Sequence, residues 1–376
     1  MQADLSLDAS SLRAKYEQLL EQGNTNPQDT SALLAQLRDL ILKHGIPEEP
    51  SGQLGRANST SCTLRGRIWK VLLGVQRLDA EYYIALVKAG KAHVHQKIRN
   101  DTFRTLRSDK TFSSIVTEAE LIRVLNAFAN SQPPPPGSRP SSVLVTNTPS
   151  APSPISPPSG GSGNSGAAST PGAAAQNGGS LPQRPPTDLG LPNADRFRIS
   201  YVQGMNVLLA PLLYVMPELD AFYCFSRLIL TCLPAYVQPT LDGVHAGMSL
   251  VDKILQRVDP QLHQTLTKTV ETQLFAMPPV MTLSACTPPL HEVLQLWDFL
   301  LAFGVHCNIP CVVAQLILVR DKLLSNEKTR RSLSRQFPDL DARAIITLAV
   351  VLLRDLPDDW YDGLVRHPFA PPSDSR

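Results

Sequence analysis

Gln203 stands in SYVQGMNVLLAP, an apolar run in which one uncharged amide is followed at once by Gly204. A carboxamide can accept a hydrogen bond from water through its carbonyl and donate to a phosphate oxygen through its NH2, so it is able to orient a reacting water. The same amide can satisfy free backbone N–H groups at a helix start. On that structural reading Tyr201 is a partly buried aromatic and Gly204 a point of close backbone approach. A second candidate lies in KIRNDTFRTLRSD, where Asp101 precedes Arg104 by three and Arg107 follows by three. A guanidinium is always charged and offers planar, forked donors, which suits it to neutralising phosphate charge. The structural alternative is a solvated helix face carrying an i,i+3 ion pair. A third polar pair, Arg65 and Trp69 in LRGRIWKVLLGV, lies four apart on one helix face. It reads as framework, the tryptophan anchoring the core with the arginine stacked over it. His306 and Cys307 are adjacent and of nucleophile-and-base type, but adjacency does not give geometry and no catalytic signature surrounds them.

The elements that must carry these residues are helical. TSALLAQLRDLILKHGIP places Leu33, Leu34, Leu37, Leu40 and Ile41 on one face, with Thr30 or Ser31 as N-cap, Gly45 as left-handed stop and Pro47 beyond it. PELDAFYCFSRLILTCLP, GVHAGMSLVDKILQRVDP, PPLHEVLQLWDFLLAFG, PCVVAQLILVRDKLLSN and DARAIITLAVVLLRDLP follow the same pattern, each bounded by Pro, Asp, Gly or Asn. There is no Asn-Gly hairpin signal, no strand-length alternation and no fixed repeat period. The expected class is all-α.

One segment breaks the pattern. From Ser131 to Pro192 the chain is rich in Pro, Ser and Gly and holds fifteen of its 33 prolines. Such a stretch buries too little apolar surface to offset its ordering entropy and is expected to be disordered. It carries Thr148, Ser153, Ser156 and Thr170, each before a proline, as sites for proline-directed kinases. The helices from Arg65 to Asn130 are too few for a comfortable core of their own. The segment therefore reads as an insertion within one helical fold, which loop entropy tolerates because it grows only logarithmically with length. The resulting division is an N-terminal helical extension (1–30), a first part of the domain (31–130), the insertion (131–192), a second part (193–357) and a tail (358–376).

Composition narrows the partners. The 376 residues are 43% hydrophobic, and 35 basic residues nearly balance 33 acidic ones, which gives no electrostatic case for nucleic acid or an anionic membrane surface. Six scattered cysteines without a paired C-x-x-C suggest neither zinc nor a disulfide framework, hence a reducing compartment and no metal. The N-terminus lacks the basic and apolar regions of a signal peptide. The apolar run between Arg343 and Arg354 is about half of what a membrane span needs. A cytoplasmic protein without direct membrane insertion is the expectation.

Taken in order, R-x-x-x-W at Arg65–Trp69, I-x-x-D-x-x-R-T at Ile98–Thr105 and Y-x-Q-G-M at Tyr201–Met205 resemble the signature of the TBC domain, a family of all-helical activators of Rab-like small GTPases. The resemblance runs from about Ser31 to Pro357 outside the insertion. The Leu-Trp-Asp helix is similar to the family's C-terminal half, and the preceding SACTPP to the fungal subgroup acting in the spindle-position checkpoint and septation. It implies that Arg104 is the arginine finger and Gln203 the glutamine finger, both supplied in trans to a Rab/Ras-like GTPase. Asp101, Thr105, Tyr201 and Gly204 would support the fingers or meet the GTPase, with Arg65 and Trp69 as framework. It also implies no cofactor of the chain's own, since GTP and Mg belong to the GTPase, a scaffold subunit as partner, and recruitment to the spindle pole. A non-catalytic scaffold of the same fold stands as the alternative.

Overall fold

The computed structural model describes residues 8–25, 30–49, 55–56, 60–106, 109–132 and 199–369. Every regular element among them is helical. Before the predicted insertion lie α1 (Ala9–Thr25), within the predicted N-terminal extension, and α2 (Thr30–His44), α3 (Leu64–Leu72), α4 (Ala80–Lys88), α5 (His95–Thr102), α6 (Lys110–Ile115) and α7 (Glu118–Ser131). After it lie α8 (Met205–Val215), α9 (Glu218–Arg227), α10 (Asp242–Val258), α11 (Pro260–Thr267), α12 (Thr272–Met281), α13 (Leu290–Phe303), α14 (Asn308–Leu318), α15 (Arg320–Ser325), α16 (Glu327–Ser332), α17 (Ala342–Asp355) and α18 (Asp358–Arg366), the last within the residues read as a tail. The bulk of the predicted insertion, with its four candidate phosphorylation sites, lies outside the described residues, as does Arg107. The helix before it reaches one residue further than the composition suggests, since Ser131 is its last helical residue.

The predicted periodicities map onto real faces. In α2, Leu33, Leu37 and Ile41 are buried, while Leu34 and Leu40 flank them half-buried. Gly45 follows in the left-handed region, φ 71°, and its carbonyl accepts from Tyr16 of α1 at 2.9 Å. Thr30 is the first helical residue and not the cap, so the cap position lies outside the described residues. The run 310–326 is not one helix. It breaks at Val319, and Arg320 turns to α11, where its guanidinium meets Asp259 Oδ2 at 2.5 Å and donates to Gln261 Oε1 at 2.8 Å. Asp259 uses its other oxygen to cap α11 through Leu262 N.

The two parts of the chain share one core. α7 packs on α4, α5, α8 and α9, and α13 packs on α2, α3 and α17. The deepest joint is between α3 and α13. Arg65 Nε lies 3.0 and 3.1 Å from the two oxygens of Asp298, and Trp69 Nε1 donates to Asp298 Oδ1 at 2.8 Å. Arg65 Nη2 also donates to Ile46 O at 3.1 Å. The Trp69 and Trp297 rings lie 5.7 Å apart between these helices. Arg65 therefore does not stack over Trp69 as the spacing alone suggests. A fully buried carboxylate needs a charge partner, and the guanidinium is spent on that. Burial pushes the Asp298 carboxyl up, and Arg65 and Trp69 oppose the shift. α3 also lies close to the end of α8: a Cβ on Gly66 would meet Val215 O at 2.5 Å, and Thr63 N donates to the same carbonyl.

Candidate functional site

The predicted finger residues occupy two junctions, one at the C-terminus of α5 and one at the N-terminus of α8. The first is a turn, Phe103–Leu106, that follows α5. Its backbone is held by Arg104 N donating to Asp101 O and Thr105 N donating to Thr102 O, and Leu106 leaves it at φ 46°. The second junction is Tyr201–Gly204. Gly204 takes φ 102°, where a side chain would be strained, and a Cβ there would meet Met281 Cε at 2.9 Å. The close neighbour is thus a side chain from α12 and not another backbone.

Side chains bind these junctions together across a hundred residues of sequence. Tyr201 is buried and its hydroxyl donates to Asp101 Oδ2 at 2.9 Å. Burial, with the Asp101 charge beside it, pushes the Tyr201 phenol up, so the hydroxyl stays protonated as a donor. Asn206, in the first turn of α8, donates through Nδ2 to Thr105 Oγ1 at 2.8 Å and to Asp101 O at 3.3 Å. Its Oδ1 accepts from Gly204 N at 3.1 Å. Both Asn206 and Thr105 are buried. Thr105 Oγ1 in turn donates to Asp101 O at 3.3 Å. The network fixes the residues on either side of Arg104 against those on either side of Gln203.

The two predicted finger side chains themselves are left toward solvent. Arg104 has its side chain 64% exposed. Among the described residues its one side-chain hydrogen bond is the long contact from Nη2 to Asn100 O at 3.3 Å. The expected i,i+3 pair exists only loosely, at 3.9 Å from Asp101 Oδ1, while the carboxylate's other oxygen accepts from Tyr201. Gln203 is exposed, and its amide makes no hydrogen bond among the described residues. Satisfying the helix start, one of the two roles open to Gln203, falls to Asn206 instead. The sequence held a signal for that, since Asn206 is the one amide within α8, in an otherwise apolar MNVLLAPLLYV. Asp298 was also legible in principle, being an acid set in the apolar run VLQLWDFLL, where it needs a buried cation or N–H donors as partners.

The His306–Cys307 pair offers no nucleophile. Burial pushes the Cys307 thiol up to about 12 and the His306 imidazole down. A thiol held protonated is a poor nucleophile, and a base made weaker does not activate it. No helix among the described residues is long and apolar enough to cross a membrane.

Residues 193–324 match the Rab-GTPase-TBC domain model. A Dictyostelium discoideum protein described as a mitotic check point protein BUB2 is 36% identical over 98% of this chain and 83% of its own length. The Schizosaccharomyces pombe cell division control protein 16 is 32% identical over 91% of this chain and 90% of its own. In three dimensions the crystal structure of the Ypt/Rab-GAP domain of Gyp1p superposes with a TM-score of 0.58, at 15% identity, over 92% of this chain and 98% of that domain.

Proposed function

Because the chain belongs to the Rab-GTPase-TBC domain family, we propose that it is a GTPase-activating protein that lends Arg104 and Gln203 to a Rab/Ras-like small GTPase. The observation that carries this reading is the Tyr201–Asp101 and Asn206–Thr105 pair of hydrogen bonds, which fix two exposed polar side chains on one support. In GTP hydrolysis negative charge shifts onto the leaving and transferring phosphate oxygens, and a water must approach in line. Arg104 supplies a permanent charge and forked donors, of which only Nη2 makes a long hydrogen bond within the chain. Gln203 supplies an acceptor for the water and a donor for a phosphate oxygen. An arginine added in trans raises such a rate by about 10³–10⁵. The bound nucleotide and its Mg ion come with the GTPase, so this chain needs no cofactor of its own.

The names of the relatives support a place in mitotic checkpoint control and cell division. Action with a scaffold subunit, at the spindle pole during septation control, extends the proposal. The deciding experiment is single-turnover GTP hydrolysis across a panel of small GTPases, with and without a candidate scaffold. The expected result is stimulation of one or a few of them. A GTPase that binds tightly and hydrolyses no faster would replace the activator by a non-catalytic scaffold.

A further inference from the structure

Arg104 carries a neighbour whose role the activator reading leaves open. Phe103, directly before it in the turn, is 46% exposed. Its ring lies under the arginine, with the guanidinium carbon 5.2 Å from the ring centroid. Three groups compete for that guanidinium. Asn100 O and Asp101 Oδ1 draw it back along α5, each from a long distance, 3.3 and 3.9 Å. The ring holds it by its face without using any N–H donor. We propose that Phe103 is a positioning residue for Arg104. The ring shelves the guanidinium above the turn, narrows its rotamers and keeps its donors free for phosphate oxygens. This rests on the reading of Arg104 as the residue lent to a GTPase.

The ring matters here for its quadrupole, and not only for its apolar bulk. Leucine is similar in bulk and lacks the negative face, whereas tyrosine retains it. A cation–π contact at an exposed site implies an effect of about two- to five-fold.

The test compares wild type, Phe103→Leu, Phe103→Tyr, Arg104→Ala and the Phe103→Leu/Arg104→Ala double variant in single-turnover hydrolysis, titrating the activator to separate saturating rate from half-saturating concentration. Phe103→Leu is expected to lower the saturating rate about two- to five-fold at unchanged half-saturation. Phe103→Tyr should restore it, and the double variant should be no slower than Arg104→Ala alone. An NMR spectrum of the arginine side chains in the free protein adds a readout independent of activity. The Arg104 Nε–H signal, identified by its loss in Arg104→Ala, should be ring-shifted in wild type and Phe103→Tyr and unshifted in Phe103→Leu. A Phe103→Leu protein with wild-type rate, or with only weaker half-saturation, would overturn the proposal while an inactive Arg104→Ala left the activator reading standing. Wild-type hydrolysis by Arg104→Ala would remove both.

Discussion

On the activator reading, a side chain lent to another protein's substrate needs a fixed backbone beneath it and polar groups that few internal partners hold. Arg104 and Gln203 are almost unbonded themselves, while the residues beside them are bonded across the two junctions. Arg104→Ala and Gln203→Ala should therefore each reduce stimulated hydrolysis by orders of magnitude with melting temperatures near wild type, since neither removes a buried contact. Arg104→Lys should fail as well, because an ammonium lacks the forked donors. A thermal melt beside the kinetic assay separates this outcome from unfolding. Asn206 should behave differently. Asn206→Ala leaves Gly204 N without its acceptor and Thr105 Oγ1 without its donor, both buried, at a cost of about 1–3 kcal/mol. Because it also loosens the turn bearing Arg104, the expected result is a lowered melting temperature together with a lowered saturating rate. A destabilised Asn206→Ala protein of full activity would show that the support is not what aligns the two residues.

At the scale of helices, the joint between α3 and α13 is where mutation should tell most about folding and least about chemistry. Asp298→Ala strands the Arg65 guanidinium in a dry interior, a loss of about 3–5 kcal/mol. Trp69→Phe removes the Nε1 bond, for about 0.5–1.5 kcal/mol, and leaves a small cavity at a fully buried site that adds about 1 kcal/mol. Denaturant titration of the two proteins should rank them in that order, and equal losses would mean that packing and not the buried charge dominates the joint. The same joint shows what sequence makes legible. Helix faces such as Leu33–Leu37–Ile41 follow from a local period that needs no knowledge of partners. The partner of Arg65 is more than two hundred positions away, so its pairing with Asp298 is invisible to any local pattern. Proline is misleading in the same way. Pro278 and Pro279 sit inside α12, where local rules would end a helix, since neither has an N–H to donate to the carbonyls four residues before them, those of Leu274 and Phe275. Beyond them the chain is bonded again, with Thr282 N donating to Pro278 O and both Ser284 N and Asn308 Nδ2 donating to Pro279 O. The motifs around Arg104 and Gln203 stand out in the sequence because each is local, whereas Asn206, which ties one junction to the other, has a role only once both are in place.

For the molecule as a whole, the question is how two junctions from opposite sides of a long intervening sequence stay in register. The described contacts between the two parts are many and independent of what connects them. α7 packs on α8 and α9, Arg56 Nε donates to Leu213 O at 2.9 Å, Thr63 N donates to Val215 O, and Asp298 bonds both Arg65 and Trp69. If that interface alone sets the register, residues 133–198 need only span from Gln132 to Ile199. Replacing them with a flexible Gly/Ser linker of about twenty residues, reaching about 25 Å on average, should then preserve the fold. The change in closure entropy is small, about 0.6 kcal/mol per halving of length, and favours the shorter connection. The melting temperature should stay or rise slightly, and the rate of stimulated hydrolysis by the purified protein should be unchanged. Regulation is a separate matter, because phosphate groups on Thr148, Ser153, Ser156 or Thr170 would add charge to a stretch that has very little. Phosphomimetic substitutions at those four positions should accordingly leave intrinsic activity alone in vitro. Loss of activity on linker replacement, with the melting temperature maintained, would mean that the intervening residues contribute to the GTPase interface itself.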